Sequence, residues 1–538
     1  MICRPNILMV MADQLTAKVL SFHGAAKPAK TPNIDRLAAE GHVLQNTYCP
    51  FPICAPSRQA MLTGKLASEI GVYDNGAEFC SSHPTFVHHL RNDGYYTALS
   101  GKAHFVGADQ LHGYEDRLTT DAYPADLAWT PRWDEDAEIY PFENSGKTGI
   151  KALTLSGPVA TSLNIEFDGE VCFAARKCLR DCARYRKGQP FFLNVSFGSP
   201  HDPYQSTPAF WDLYTDDEVG MPAQPSIPYD QQDSHSRQLY RHIGKVDWAP
   251  DDEMILRSRR GYYAAVSFVD YQVRRLLETL KECGFYDNTI IVFTSDHGDM
   301  LGEKGIWFKQ TMYDQAVRVP LLFWGPNYVA RGRTDGNVSL LHLFPTILDC
   351  AGIDPESRSG GHGPGGRLHQ QNQPRSALAP RHPSRLGESL WPLVTGQSDK
   401  TLDCIYCEHT DANALSPILM VRRGKYKYVY SEKWGCQLFD MESDPGETEN
   451  LIGDPELADE RESLRQLVLS RWGDPRALHD RIVEDQNRRR LVWQSLTQGK
   501  RPVWDYQPFE DQTRRFVRSD AFLFDTEKNS ILPCSDAR

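Results

Sequence analysis

The chain places a thiol, a proline and a guanidinium close together in Cys54-Ala-Pro56-Ser-Arg58, in a stretch that runs on to Met61-Leu-Thr-Gly64. Pro56 suits a first helical position, where a missing N–H costs nothing, so Cys54 is expected at or just before a helix N-terminus. Free backbone N–H groups and the positive end of the helix dipole favour an anion there. Arg58, four residues on, would face the same side as Cys54. Further reactive residues follow apolar runs directly: Asp13-Gln14, Lys102-Ala-His104, His201-Asp202 and Asp296-His297, with Lys309 in the next loop. Chemistry sorts them into two groups. Asp13, Gln14, Asp296 and His297 could surround a hard divalent cation, since carboxylate oxygens suit Ca2+ or Mg2+, although histidine is a less usual calcium ligand. Arg58, Lys102, His104, His201 and Lys309 could neutralise a sulfate or phosphate and move protons.

For these side chains to meet, the runs before them must be strands whose carboxyl ends share one edge of a sheet. Asn6–Ala12, Tyr95–Ser100, Pro190–Phe197, Thr289–Thr294 and Val319–Trp324 read as buried strands. Helices are expected at Thr31–Gly41, Thr85–Asn92, Glu170–Arg184, Ile255–Glu282 and Leu340–Ala351. The alternation predicts an α/β fold with helices on both faces of the sheet. This catalytic unit is expected over residues 1–355. Residues 356–385, rich in Gly, Pro, Ser, Gln, His and Arg, read as an exposed insertion. Residues 386–475 read as a small antiparallel sheet, with strands at Ile418–Arg422, Tyr426–Tyr430 and Gln437–Asp440 and a helix at Pro455–Trp472. Residues 476–538 read as a polar, arginine-rich tail whose aromatic residues, Trp493, Trp504 and Phe509 among them, should dock on something.

Composition narrows the function. The chain has 538 residues and a net charge of −12, which argues against nucleic acid or an anionic membrane as partner. It has no apolar run of about 18 residues and no stretch resembling a signal peptide. The 13 cysteines, odd in number and scattered, suit a reducing compartment. Cys404-Ile-Tyr-Cys407 lacks a second pair and reads as strand, neither zinc site nor redox centre.

The same residues carry a family resemblance. Pro5-Asn-Ile-Leu8, Thr31-Pro-Asn-Ile-Asp-Arg-Leu-Ala38, Cys54-Ala-Pro-Ser-Arg58, Gly101-Lys-Ala-His104, Ser199-Pro-His-Asp-Pro203 and Thr294-Ser-Asp-His-Gly-Asp-Met-Leu-Gly-Glu303 resemble type I sulfatase motifs, in family order. Leu386-Gly-Glu-Ser-Leu-Trp-Pro-Leu-Val-Thr-Gly396 extends them. Met11-Ala-Asp-Gln-Leu15, Tyr73-Asp-Asn-Gly-Ala-Glu78, Asp109-Gln-Leu-His-Gly-Tyr114, Leu118-Thr-Thr-Asp-Ala-Tyr-Pro-Ala-Asp126, Trp129-Thr-Pro131 and Trp504-Asp-Tyr-Gln-Pro508 are similar to the choline-sulfatase branch. The resemblance implies an alkaline-phosphatase-like fold, a large mixed sheet between helices with a small C-terminal subdomain. It implies that a maturation enzyme oxidises Cys54 to Cα-formylglycine, and that Asp13, Gln14, residue 54, Asp296 and His297 hold a divalent cation, Ca2+ before Mg2+ or Mn2+.

It also implies the reaction: cytoplasmic hydrolysis of choline O-sulfate by a homo-oligomer, dimer or tetramer, in which tails reach neighbouring subunits. Arg58, Lys102 and Lys309 would stabilise charge on the sulfuryl oxygens. His201 and Lys309 would protonate the leaving alcohol, and His104 would act as the base that releases sulfate. A quaternary ammonium donates no conventional hydrogen bond, so aromatic faces and carboxylates must recognise it. Trp129, Asn75, Glu408 and Asp505 are the candidates, with Glu143, which stands near where related choline-sulfatases tend to carry a histidine. Two rivals stay open: a phosphonate or phosphate monoester hydrolase of the same superfamily, and a non-catalytic ligand-binding homologue that keeps Cys54 unmodified.

Overall fold

Strand β1 (Asn6–Ala12) is buried at every residue. Its odd-numbered apolar positions Ile7, Met9 and Met11 enter one hydrophobic core, and Leu8, Val10 and Ala12 enter another. The two-residue period of a strand thus feeds two cores, which requires helices on both faces. The computed structural model describes residues 4–133, 149–246, 248–354, 388–500, 504 and 523–533. The expected insertion at 356–385, Glu143, Asp505 and Phe509 lie outside the described residues.

The main sheet comprises β1, β2 (His42–Tyr48), β3 (Tyr96–Gly101), β4 (Asp116–Arg117), β6 (Phe191–Phe197), β8 (Thr289–Ser295), β9 (Leu321–Trp324) and β10 (Gly332–Ser339). A two-stranded sheet pairs β5 (Gly157–Pro158) with β7 (Gln205–Ser206). The main order is β10-β2-β9-β8-β1-β6-β3-β4. β9 runs antiparallel to both neighbours, and the other pairings are parallel, so the sheet is mixed. Helices Leu163–Tyr185 and Asp252–Glu282 cover one face. Helices Cys54–Thr63, Phe86–Asn92 and Leu343–Cys350 cover the other. β2 and β10 escape a sequence-only reading because each carries several polar residues; β10 alternates exposed and half-buried positions before its buried end, as an edge strand does.

The C-terminal sheet is antiparallel, β11 (Cys404–His409), β12 (Ile418–Arg423), β13 (Tyr426–Tyr430) and β14 (Gln437–Asp440) in order. Helix Ala458–Trp472 packs on it through Leu464, Val468 and Trp472, and this core is continuous with one face of the main sheet. The expected polar tail from 476 instead opens with a 22-residue helix, Pro475–Leu496, capped by Asp474. Its buried stripe mixes Leu478 and Ile482 with Gln486 and Arg489, so no clean apolar period marks it in the sequence. The cysteines of the described residues are all free, those of Cys404-Ile-Tyr-Cys407 included.

Candidate active site

β1, β3, β6 and β8 end side by side, and their following residues meet at one edge, as parallel strands bring their carboxyl ends together. The helix Cys54–Thr63 points its N-terminus into this edge, with extended Ile53 as cap and all ten residues buried. Pro56 is the third helical residue rather than the first, which still lies in the turn whose N–H groups lack intrahelical acceptors. The Ala55 N–H donates to Asn75 Oδ1 at 3.0 Å, and Ser57 Oγ donates to the Asp296 carbonyl at 2.6 Å. These bonds pin Cys54 at the mouth of the site.

Asp13, Cys54, Asp296 and His297 form a buried group whose candidate ligand atoms all lie within 4.8 Å of one another. His297 Nε2 is 3.2 Å from Cys54 Sγ, and Nδ1 is 3.0 Å from the Gly298 carbonyl. A proton on Nδ1 donated to that carbonyl leaves the Nε2 lone pair facing the group. Burial pushes His297 down to about 4, so it is neutral at pH 7. Burial pushes the Asp13 carboxyl up, but the charges of Lys102, His201, Arg58 and Lys309 outweigh it and hold it well below its ordinary value. Two fully buried carboxylates beside a neutral imidazole fit a hard divalent cation. Gln14 sits at the rim in the left-handed region, φ 67°. Its Nε2 donates to Asp202 and Asp299, and its Oε1 accepts from Lys309.

The cationic residues surround the thiol from separate elements. Lys102 Nζ lies 3.3 Å from Cys54 Sγ and pairs with Asp13. Lys309 Nζ lies 3.6 Å from the same sulfur and 2.7 Å from His201 Nε2. Arg58 Nε donates to Asp296 at 2.7 Å, and its Nη1 donates to the Lys102 carbonyl and Ser196 Oγ, each at 2.8 Å. Its Nη2 and both ring nitrogens of His104 are buried with no hydrogen-bond partner among the described residues. Buried polar atoms without hydrogen bonds are costly, and an oxyanion bound beside the thiol would satisfy those of His104 and of Arg58, whose Nη2 stands 3.8 Å from Asp13 Oδ1. Burial, reinforced by Lys102, holds His104 well below its ordinary value, so it is a neutral base.

An aromatic wall stands beside this pocket. The half-buried Trp129 meets His104 edge-on at 5.7 Å between centroids and Tyr123 at 5.6 Å. Tyr123 stacks on His104 at 5.1 Å, and Lys102 Nζ lies 3.8 Å above its ring. Glu408 is a correction: its two carboxylate oxygens accept from the Ser68 N–H and from Trp472 Nε1, each at 2.7 Å, so it clasps two structural groups instead of facing the site. The sequence reading assigned no role to Tyr123 or Asp121. Asp121 accepts from the Ala103 and His104 N–H groups, at 2.9 and 2.7 Å, and so fixes the loop of the base. Both lie in the stretch Leu118–Asp126, whose resemblance was legible although the roles inside it were not.

A family model described as sulfatase matches residues 5–353, and the chain belongs to the sulfatase family; it is a sulfuric ester hydrolase. A second model, described as choline sulfatase enzyme C terminal, matches residues 480–530. The chain is 38% identical to the choline-sulfatase of Rhizobium meliloti (strain 1021), covering 98% of this chain and 99% of that one. It is 26% identical to an arylsulfatase of Clostridium perfringens, over 87% and 94% of the two chains. Among solved structures, the phosphonate monoester hydrolase of Agrobacterium radiobacter superposes with a TM-score of 0.66 at 23% identity, covering 88% of this chain and 96% of that one, which shows the shared fold.

Proposed function

We propose that the chain hydrolyses choline O-sulfate to choline and sulfate, using residue 54 as nucleophile after its conversion to Cα-formylglycine. The observation that carries the reading is a cluster of side chains whose two sides differ chemically. Arg58 Nη2 and the His104 nitrogens, buried without hydrogen bonds, would take an anion at one end, and Trp129, packed edge-on against His104 and Tyr123, adjoins them for an organic cation. The near full-length similarity to a choline-sulfatase supports the choice of cation. Asp13, Asp296, His297 and residue 54, with Gln14 at the rim, would hold a divalent cation, Ca2+ in first place. The bound cation and the matured residue 54 supply Lewis acidity and an oxygen nucleophile.

The remaining steps belong to the chain's own side chains. Arg58 Nη2, Lys102 and Lys309 receive negative charge as it grows on the sulfuryl oxygens, in a site where burial strengthens each interaction. His201 and Lys309, in contact at 2.7 Å, form a unit that delivers a proton to the choline oxygen as it leaves. Neutral His104 takes the proton whose removal releases sulfate, restoring residue 54. Trp129 accepts the trimethylammonium, at about 0.5–2 kcal/mol per contact, and Tyr123, whose ring is already engaged by His104 and Lys102, supports it from behind. The reading requires a formylglycine-generating partner, and the resemblance adds cytoplasmic action as a homo-oligomer.

The test is steady-state turnover of choline sulfate beside phosphocholine, with intact-mass measurement of the peptide containing residue 54. Efficient release of sulfate, little release of phosphate and the mass of formylglycine are expected. An active enzyme with an unmodified thiol, or a preference for phosphocholine, would sink the proposal.

A further inference from the structure

The C-terminal helix Pro475–Leu496 reaches the segment of Trp129 through a buried guanidinium. Arg489 is 5% exposed. It meets Asp74 with two parallel bonds, Nη1 at 2.9 Å and Nη2 at 2.7 Å. Nη1 also donates to Thr130 Oγ1 at 3.0 Å, and Nε donates to Asp485 on its own helix at 2.6 Å. Asp74 directly precedes Asn75, whose side chain holds the Ala55 N–H beside Cys54. Thr130 directly follows Trp129. The two segments touch through Gly76: a Cβ there would lie 2.4 Å from the Thr130 nitrogen and 2.5 Å from the Trp129 carbonyl carbon. The same helix grips the segment again one turn and about three turns back. Gln486 accepts from the Trp133 N–H at 3.0 Å, and His479 stacks on the Trp133 ring at 5.4 Å.

We infer that Arg489 is a positioning residue for substrate selection: it ties the segment bearing Trp129 to the segment bearing Asn75, so the cation-binding wall is set against the oxyanion pocket by the C-terminal helix. A bidentate Arg–carboxylate pair fixes orientation as well as distance, which a lysine cannot reproduce. This gives residues 480–530, which lie outside the span of the general sulfatase model, a task specific to the choline end of the substrate. The inference rests on the choline sulfate reading.

The test compares Arg489→Lys and Asp74→Asn with the parent enzyme on choline sulfate and on 4-nitrophenyl sulfate, which has no cation to place. Arg489→Lys keeps a positive charge between Asp74 and Asp485, so no buried carboxylate is abandoned. We expect KM for choline sulfate to rise at least tenfold in both variants, with kcat/KM for 4-nitrophenyl sulfate within twofold of the parent. Adding Arg489→Lys to Trp129→Ala should cost less than twofold more, because the wall it positions is already gone. Equal losses on both substrates, an unchanged KM for choline sulfate, or additive losses in the double variant would overturn the inference. If the parent enzyme turns over 4-nitrophenyl sulfate but not choline sulfate, the functional reading fails by itself. Amide hydrogen exchange over residues 127–133 then decides the strut: faster exchange in Arg489→Lys supports it, and unchanged exchange refutes it.

Discussion

Arg58→Lys separates charge from geometry at the centre of the site. Arg58 uses three nitrogens in three directions: Nε to Asp296, Nη1 to the Lys102 carbonyl and Ser196 Oγ, and Nη2, which makes no hydrogen bond, to within 3.8 Å of Asp13 Oδ1. A lysine ammonium keeps the positive charge beside Asp13 and Asp296 but can serve one of these directions. The ground state loses bonds to groups that stay buried, at about 1–3 kcal/mol for each group left unmatched, so the variant should unfold with about 2–4 kcal/mol less free energy. The transition state loses in addition a preorganised donor to a sulfuryl oxygen. Removal of one such donor costs about 2.7–4 kcal/mol, or 10²–10³ in kcat. Urea unfolding reads the first quantity, and steady-state kinetics at saturating 4-nitrophenyl sulfate reads the second. A folded variant whose kcat stays within tenfold of the parent would refute the placement of Nη2 against reacting charge.

Three further outcomes follow from particular contacts. Treatment with EGTA should abolish turnover and lower the melting temperature, since a cation at a hundredfold its Kd stabilises the folded state by about 2.7 kcal/mol; Ca2+ should restore both, and full activity after verified metal removal would refute the metal reading of Asp13, Asp296 and His297. Glu408→Gln should destabilise by about 1–3 kcal/mol, because the new amide must turn a donor toward the Ser68 N–H or Trp472 Nε1, while KM for choline sulfate stays unchanged; a raised KM would return Glu408 to the substrate. His342 is buried and neutral, its Nδ1 accepting from the Ser339 N–H at 2.9 Å, and burial pushes it down to about 4 from 6.5. The unfolded chain protonates this histidine first, so stability should fall as pH drops from 6.5 to 4, by up to about 3 kcal/mol, and level off below. His342→Asn, which keeps an acceptor for Ser339, should lessen the total fall in denaturant titrations across this pH range by up to about 3 kcal/mol, the rest belonging to other buried histidines such as His297 and His409; a fall as large as the parent's would refute the role of His342.

The residue order by itself determined the alternation of buried strands and helices, the two-sided burial of the sheet, and the chemistry at each strand's carboxyl end. Those features rest on local rules: a strand's period of two, a helix's caps, and the tendency of residues after parallel strands to share an edge. Only the tertiary structure decided who holds whom. Arg58 finds Asp296 across 238 positions, Asp74 finds Arg489 across 415, and Glu408 turns away to Ser68 and Trp472. A buried charge needs a partner far more than it needs a neighbour in sequence, because desolvation is repaid wherever the fold brings a matching group, and hydropathy carries no record of that choice. The helix Pro475–Leu496 shows the same limit, since half its buried stripe is polar and becomes intelligible only beside the loops it grips.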